Sequence, residues 1–500
     1  MIRQLSIAAA MVILSSCTVI GPTYNAPETE ALPRFVESAD YQETTPQPVW
    51  WEAFDDPILN RLVARALAEN NRIGVAVSNV NVARASYGLA RLERVPFDTI
   101  SASYLQSRSS GAAIGAAFVI PGQEGNTDSV TLPTEEILNA SVAASWEVDL
   151  FGRVTRSIRA AEADLEQTSA LLIDLRSVVA AETVDAYVTY RGLTIQTIVA
   201  RENILNQKET VRLVTIRRDA GRGSDLDVER AKEQLATTIA VLPPLESQAK
   251  ASLYRLATLT GQRPEEIKIL AVTAGTPPTI EGDLPIGNPE AMLRRRPDVR
   301  AAERALAAST ERIGLQMASA FPTITLTGSV GVQTLGIDDA FANEALNFNL
   351  GPSISWSLTN LLRARRNVLA ANASAEGAFD NYEQTVLLAL EETESALIGQ
   401  RAVRASLMAR ESAEASSSKA AELARFRYER GASDFLDVLD AERRNLEARN
   451  SLAAARTDLA RSQVAVFRAL RADAPLIDLK QSPGQLVASQ SPEGDQEFAQ

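Results

Sequence analysis

Histidine is absent from the 500-residue chain, and cysteine occurs once, at Cys17. These two gaps exclude an imidazole base, a Ser-His pair, a His-ligated metal, a disulfide and a thiolate zinc site. Basic charge is scarce as well: 50 Lys and Arg face 63 Asp and Glu, for a net charge of -13. A nucleic-acid partner would need a basic patch, so none is expected. No segment after the amino terminus approaches the run of about 18 apolar residues that a membrane helix requires, so any spanning must be done by strands. The composition points to a protein whose work is shape rather than bond-making, with no enzymatic activity, cofactor or metal expected.

The amino terminus has one positive charge at Arg3, an apolar stretch from Leu5 to Leu14, and the small Ser15 and Ser16 before Cys17. This is the layout of a secretory signal peptide over residues 1–16, with an apolar core too short to span a bilayer. A cysteine beside a cleavage site needs no role of its own. Leu14-Ser15-Ser16-Cys17, however, resembles the bacterial lipobox, in which the cysteine becomes the first mature residue and is lipidated. A single acyl chain binds membranes only marginally, whereas several chains on Cys17 would form a stable anchor. Thr18 stands where an Asp would suggest inner-membrane retention, so the resemblance implies the outer membrane.

The chain repeats itself. At an offset of 210, Trp146 falls on Trp356, Arg153 on Arg363, Glu182 on Glu392, Arg191 on Arg401, Gly221 on Gly431 and Leu226-Asp227-Val228 on Leu436-Asp437-Val438. The repeats are assigned to residues 56–260 and 298–474. A lipidated segment at 17–55 precedes them, a Pro- and Gly-rich link at 261–297 separates them, and a polar tail at 475–500, expected to be disordered, follows.

Each repeat opens with period-2 alternation. Val142, Ala144, Trp146 and Val148 alternate with Ala143, Ser145, Glu147 and Asp149, and Phe348, Leu350, Ile354 and Trp356 alternate with Asn347, Asn349, Ser353 and Ser355. Partner strands are expected at 99–107 and 323–332. Alternation most often marks a half-solvated soluble sheet. Here it accompanies an export signal, long links at about 108–138 and 334–346, and strands of about the 9–11 residues that cross a bilayer. Four strands cannot close a barrel, because membrane barrels start at about eight, and lipid does not tolerate open edges. Several chains must then share one barrel.

After the strands, residues 153–218 and 363–430 read as helices of exceptional length, free of proline. At 1.5 Å per residue each could extend about 100 Å, which argues for coiled coil. Returning arms are expected from Asp227 to about 260, interrupted at Leu242-Pro243-Pro244, and from Asp437 to about 470 without interruption. A helix capped by Asp56 with Pro57 at its first position is expected to run to about Glu93, and its counterpart from Asp298 to about Ser319.

At the hairpin turns, Gly221 and Gly431 read as ordinary helix C-caps, and Ser433 and Asp434 as ordinary helix starts. Asp437 and Asp440 lie three apart on one helix face. A carboxylate in the first turns is favoured by the helix dipole, which is one account of both. Repeated around a ring, the pair would instead crowd carboxylates at an axis, binding cations or held shut by arginines.

These features together resemble the TolC-like outer membrane efflux proteins, in the lipoprotein branch often labelled NodT or OprM-like. The resemblance is carried by the lipobox, the duplication, Trp146-Glu147-Val148-Asp149-Leu150-Phe151-Gly152-Arg153, Leu293-Arg294-Arg295-Arg296-Pro297-Asp298-Val299-Arg300, and Gly431 leading into Leu436-Asp437-Val438-Leu439-Asp440-Ala441. It implies a mainly α fold with a membrane β-barrel: a homotrimer with a 12-stranded barrel, a 12-helix periplasmic tunnel and an equatorial belt. It also implies a periplasmic adaptor protein, an inner-membrane pump of the resistance-nodulation-division type, and outer-membrane lipid as partners. By the same resemblance Asp437 and Asp440 line a closed periplasmic entrance, Asp227 and Tyr428 belong to contacts between hairpins that keep it shut, and Gly221 and Gly431 are tips where the adaptor docks. Ser433 stands where some members place a gating arginine, leaving Arg217, Arg222, Arg427 and Arg430 as candidate cations. The expected function is an exit duct for drugs or other small amphiphiles. The alternatives are export of polypeptides in type I secretion and a periplasmic coiled-coil lipoprotein without a pore.

Overall fold

The computed structural model describes residues 19–27, 33–108, 134–267, 275–335 and 342–472. Cys17, the signal peptide and the tail expected at 475–500 lie outside the described residues. In chain order the elements are α1 (Pro57–Glu69), α2 (Asn71–Leu92), β1 (Phe97–Ser107), β2 (Glu135–Glu147), α3 (Arg153–Asp219), α4 (Asp225–Ala240), α5 (Leu242–Leu259), α6 (Pro289–Arg295), α7 (Pro297–Ala318), β3 (Thr323–Leu335), β4 (Leu346–Ser355), α8 (Leu358–Glu429) and α9 (Phe435–Leu470). The 67-residue α3 and the 72-residue α8 are the long helices expected from the composition. The returning arm of the first repeat breaks at Val241, with Pro243 and Pro244 in the first turn of α5, whereas α9 runs unbroken for 36 residues.

Two boundaries differ from the sequence reading. The helix expected from Asp56 to Glu93 is divided at Asn70, whose extended backbone ends α1. The Asn70 carboxamide oxygen accepts from the Arg72 and Ile73 N–H groups and so starts α2, while its nitrogen donates to the Leu259 carbonyl at 2.8 Å. Within the 261–297 link, Asn288 caps the short α6, with Pro289 at its first position.

The chain forms two compact units. One comprises the amino-terminal segment through Asn25, Ala83–Asp164 and Leu306–Ala378. Its centre is a four-stranded antiparallel sheet in the order β1-β2-β3-β4. The register sorts the side chains by parity. Ile100, Val142, Val330 and Phe348 form one cross-strand row, and Ser101, Ser141, Gly331 and Asn347 form the next. One face therefore carries Ile100, Tyr104, Val142, Trp146, Leu326, Val330, Phe348, Leu350 and Ile354, and the other carries serines, threonines, Asn139, Gln333, Asn347 and Asn349. A soluble sheet buries such an apolar face, but here Ile100 and Phe348 are 78% and 80% exposed. Among the described residues β1 and β4 each pair on one side only. The duplication is visible at the foot of the sheet. The Trp146 indole donates to the Arg94 carbonyl at 3.0 Å and the Trp356 indole to the Ala320 carbonyl at 3.1 Å, each acceptor two residues past the end of α2 or α7.

The second unit comprises Ala26–Val82, Leu165–Ala305 and the chain from Phe379 onward. Its apolar core gathers Phe35, Trp50 and Phe54 from the amino-terminal segment, Leu59 and Leu62 from α1, Tyr187 from α3, Leu256 and Leu259 from α5, and Val464 and Phe467 from α9. Trp50 stacks on Phe467 with centroids 4.9 Å apart. The run of arginines before Pro297 has a structural use in this core. Arg296 is almost wholly buried and donates to the Ala469 carbonyl at 2.6 Å near the end of α9, and to Asp298 and Glu392 at 2.5 and 3.0 Å. Burial alone would push the Asp298 carboxyl up, but bonding to Arg296 outweighs it and holds that group below the usual range.

Candidate functional site

The two helical turns of the second unit have the same backbone plan. In the first, the Gly221 N–H donates to the Arg218 carbonyl and the Arg222 N–H to the Arg217 carbonyl. In the second, Gly431 donates to Tyr428 and Ala432 to Arg427, all at 2.8–2.9 Å. This is the Schellman closure of a helix, which needs a left-handed residue. Gly221 and Gly431 supply it, with φ of 69° and 72°. A Cβ added at either glycine would meet nothing within 4 Å, so backbone angle rather than space requires glycine.

The helix starts differ. Ser224 and Asp227 form a reciprocal capping box: the Asp227 N–H donates to the Ser224 hydroxyl oxygen and the Ser224 N–H to the Asp227 carboxylate, both at 3.2 Å. The equivalent residues 210 later are Asp434 and Asp437, and Asp434 makes no capping bond through its side chain. Among the described residues exposed Asp437 has no ion-pair partner, and Asp440 pairs with Arg444 one turn along α9 at 3.0 Å, both side chains largely in solvent. The helix dipole favours both carboxylates without using either as a cap.

The hairpins meet through a small apolar cluster of Val214, Val228 and Ala231 from the first and Tyr428, Phe435 and Val438 from the second. The Tyr428 and Phe435 rings lie 5.7 Å apart. Arg217 lies over the Tyr428 ring at 4.2 Å and donates to the Tyr428 carbonyl at 2.6 Å. Burial pushes the Tyr428 phenol above its ordinary range, with Arg217 opposing the rise and Asp227 adding to it. Of the four candidate arginines, Arg217 makes this contact between hairpins. Arg430, just past the end of α8, stacks on Phe426 of that helix, and among the described residues none of the four pairs with Asp437 or Asp440.

Sequence reasoning missed Glu442. It lies on the buried stripe of α9 with Val438 and Leu446 and is 5% exposed. Its carboxylate accepts from Gln207 and Thr210 of α3 at 3.1 and 3.0 Å and from Arg425 of α8 at 2.5 Å. The network borders a cleft of about 570 Å³ lined also by Asn206, Glu429, Asn445 and Arg449. A charge interrupting the apolar positions Phe435, Val438 and Leu446 was the available signal.

A duplicated pair of strands and helical hairpins, with an exposed apolar sheet face and acidic helix starts, fits an outer-membrane channel architecture. Residues 62–262 and 288–470 match the family described as outer membrane efflux protein, and the chain belongs to that family. Nodulation protein T of Rhizobium leguminosarum bv. viciae is 30% identical over 94% of this chain and 93% of its own. The pyoverdine export outer membrane protein OpmQ of Pseudomonas aeruginosa is 27% identical over 94% of this chain and 96% of its own. The solved structure of the outer-membrane channel OprN matches with a TM-score of 0.84 and 36% identity, covering 92% of this chain and all of that one. The protein is thus an outer-membrane efflux channel component, a non-enzymatic class of function.

Proposed function

We propose that the chain is the passive exit duct of a tripartite efflux system. Three copies close a 12-stranded barrel and continue into a periplasmic tunnel of helical hairpins whose tips form a gate. The observation that carries this reading is the four-stranded sheet, with an exposed apolar face and, among the described residues, two unpaired edges. In hydrocarbon each unpaired backbone group costs several kcal/mol, so the edges must be closed by further copies. A periplasmic adaptor docks at the tips around Gly221 and Gly431, where space is open. An inner-membrane pump of the resistance-nodulation-division type supplies the energy, and a relative named for pyoverdine export supports a small-molecule cargo. Cys17 carries the covalent lipid. Asp437 and Asp440 of each copy gather at the tunnel mouth; among the described residues Asp437 has no ion-pair partner and Asp440 pairs with its exposed neighbour Arg444.

The test joins two measurements on the purified mature chain. Native mass spectrometry is expected to give a trimer, and single-channel conductance in planar bilayers is expected to rise for Asp437→Ala combined with Asp440→Ala. A stable monomer would overturn the shared barrel, and unchanged conductance would remove the aspartates from the gate.

A further inference from the structure

The cleft beside Glu442 has an interior that the channel reading leaves unused. It measures about 570 Å³, and its walls come from α3, α8 and α9. That size falls within the range of about 300–1,000 Å³ typical of small-molecule sites. On the α3 wall Gln207 is 1% exposed, and its amide nitrogen donates to the Glu442 carboxylate at 3.1 Å. That carboxylate, ion-paired with Arg425 at 2.5 Å, can only accept, so the amide cannot be turned the other way round. Gln207 Oε1 is thereby left buried with no hydrogen-bond partner among the described residues. A buried acceptor without a donor is costly, and a donor brought in by a ligand relieves the cost.

The charges around the cleft select the kind of donor. Its two arginines are already committed, Arg425 to Glu442 and Arg449 to Glu202 and Asn203 at 2.8 and 3.0 Å. Glu422 of α8 is held only by exposed Lys419, one turn back. Glu429, the last residue of α8, is exposed and has no ion-pair partner among the described residues. Acceptors are therefore in surplus while the guanidinium groups are engaged, so an anion would be repelled. Leu423 and Phe426, each about half exposed, add an apolar wall. The Phe426 ring already attracts one cation, the Arg430 guanidinium, 4.4 Å from its centre.

We propose that this cleft binds an organic ammonium ion, a primary or secondary amine carried on an apolar body, whose N–H groups satisfy Gln207 Oε1 and Glu429 while the body packs on Leu423 and Phe426. The site is separate from the tunnel mouth assigned to Asp437 and Asp440. It does not depend on the channel reading, since a chain without a pore would bind the same ligand. Gln207 belongs to the first hairpin and Glu429 to the second. An occupant held by both ties the hairpins together and favours the arrangement in which they touch.

Fluorescence titration of the purified full-length protein in neutral detergent tests this with dansylcadaverine, a primary ammonium on an apolar fluorescent body. Saturable binding of one probe per chain is expected. N-acetylated dansylcadaverine keeps the body but lacks the charge, and is expected to show no saturable component. Gln207→Leu removes the orphan acceptor at nearly constant size and should weaken binding about tenfold. Because that change also takes a donor from Glu442, Glu429→Gln provides an independent variant: it lies in solvent, leaves the Glu442 network whole, and should weaken binding about two- to fivefold. Asp437→Ala combined with Asp440→Ala should leave the affinity unchanged. Failure of the unaltered protein to bind, equal binding of the acetylated probe, or an affinity that neither Gln207→Leu nor Glu429→Gln lowers would overturn the site. Loss of binding in the aspartate double variant alone would move the cation to the tunnel mouth and overturn the site as well.

Discussion

Replacing Val330 with arginine tests the parity of the sheet directly. Val330 lies near the middle of β3, paired with Val142 on one side and Phe348 on the other, in a row that also contains Ile100. Its immediate neighbour Ser329 lies between Ala143 and Asn349 on the opposite face. If the apolar face meets lipid, an arginine at Val330 puts a charge close to the bilayer midplane, at a cost of about 2–4 kcal/mol per chain. At about 1.4 kcal/mol per decade, that weakens folding roughly 30- to 700-fold. Ser329→Arg places the same charge on the polar face, where water can solvate it, and is expected to cost less than about 0.5 kcal/mol. Both variants are refolded from denaturant into phosphatidylcholine vesicles and titrated with guanidinium, which separates membrane stability from any defect in cellular export. Equal losses for the two variants, or a greater loss for Ser329→Arg, would refute the assignment of the faces.

Three other outcomes are expected. Glu442→Ala leaves Arg425, Gln207 and Thr210 without their shared acceptor. It should destabilise the contact between hairpins by about 1–3 kcal/mol, discounted because Arg425 is partly solvated, and raise the open probability of single channels, with Glu442→Gln milder. Burial, reinforced by its bond to Asp56, pushes the Tyr187 phenol up to about 12. Its contribution to stability should be complete below about pH 10, the unfolded value, and disappear as pH rises through 12, so the difference in melting temperature between the wild type and Tyr187→Phe should shrink over that range. Gly431→Ala should destabilise the tip by about 1 kcal/mol through its positive φ, whereas Gly377→Ala, in the open middle of α8, should stabilise by about 0.5–1 kcal/mol in the same thermal melts.

Much of this architecture was legible because it is periodic. Strand parity needs only alternation, and the side chains of Val142, Trp146, Phe348 and Ile354 declare it whatever covers the face. The break between α4 and α5 was legible because Pro243 and Pro244 act on the local backbone. Asn70 was not, because an asparagine inside a helical pattern can point to solvent or cap a new helix, and here a bond to the Leu259 carbonyl, nearly 200 residues away, accompanies the second outcome. The partners of Glu442 were illegible for the same reason: they come from other helices, which leave no spacing in the sequence, so only a charge on an apolar stripe was visible.

The duplication also separates structure from function at the tips in a way that neither copy could alone. Asp227 and Asp437 descend from one position in the repeat, and both sit at a helix start. If a helix start were all that required the carboxylate, both would be expected to cap. Asp227 does, through a reciprocal bond with Ser224. Asp437 does not, because Asp434 stands where Ser224 would be and cannot complete the box with a second carboxylate. The second repeat therefore keeps an acidic residue without the bond that would justify it locally, and adds Asp440 on the same face. The first repeat has Arg230 at that position. A charge without an ion-pair partner among the described residues, beside another that its sister copy lacks, is what the proposed gate at the tunnel mouth of an assembled channel would use.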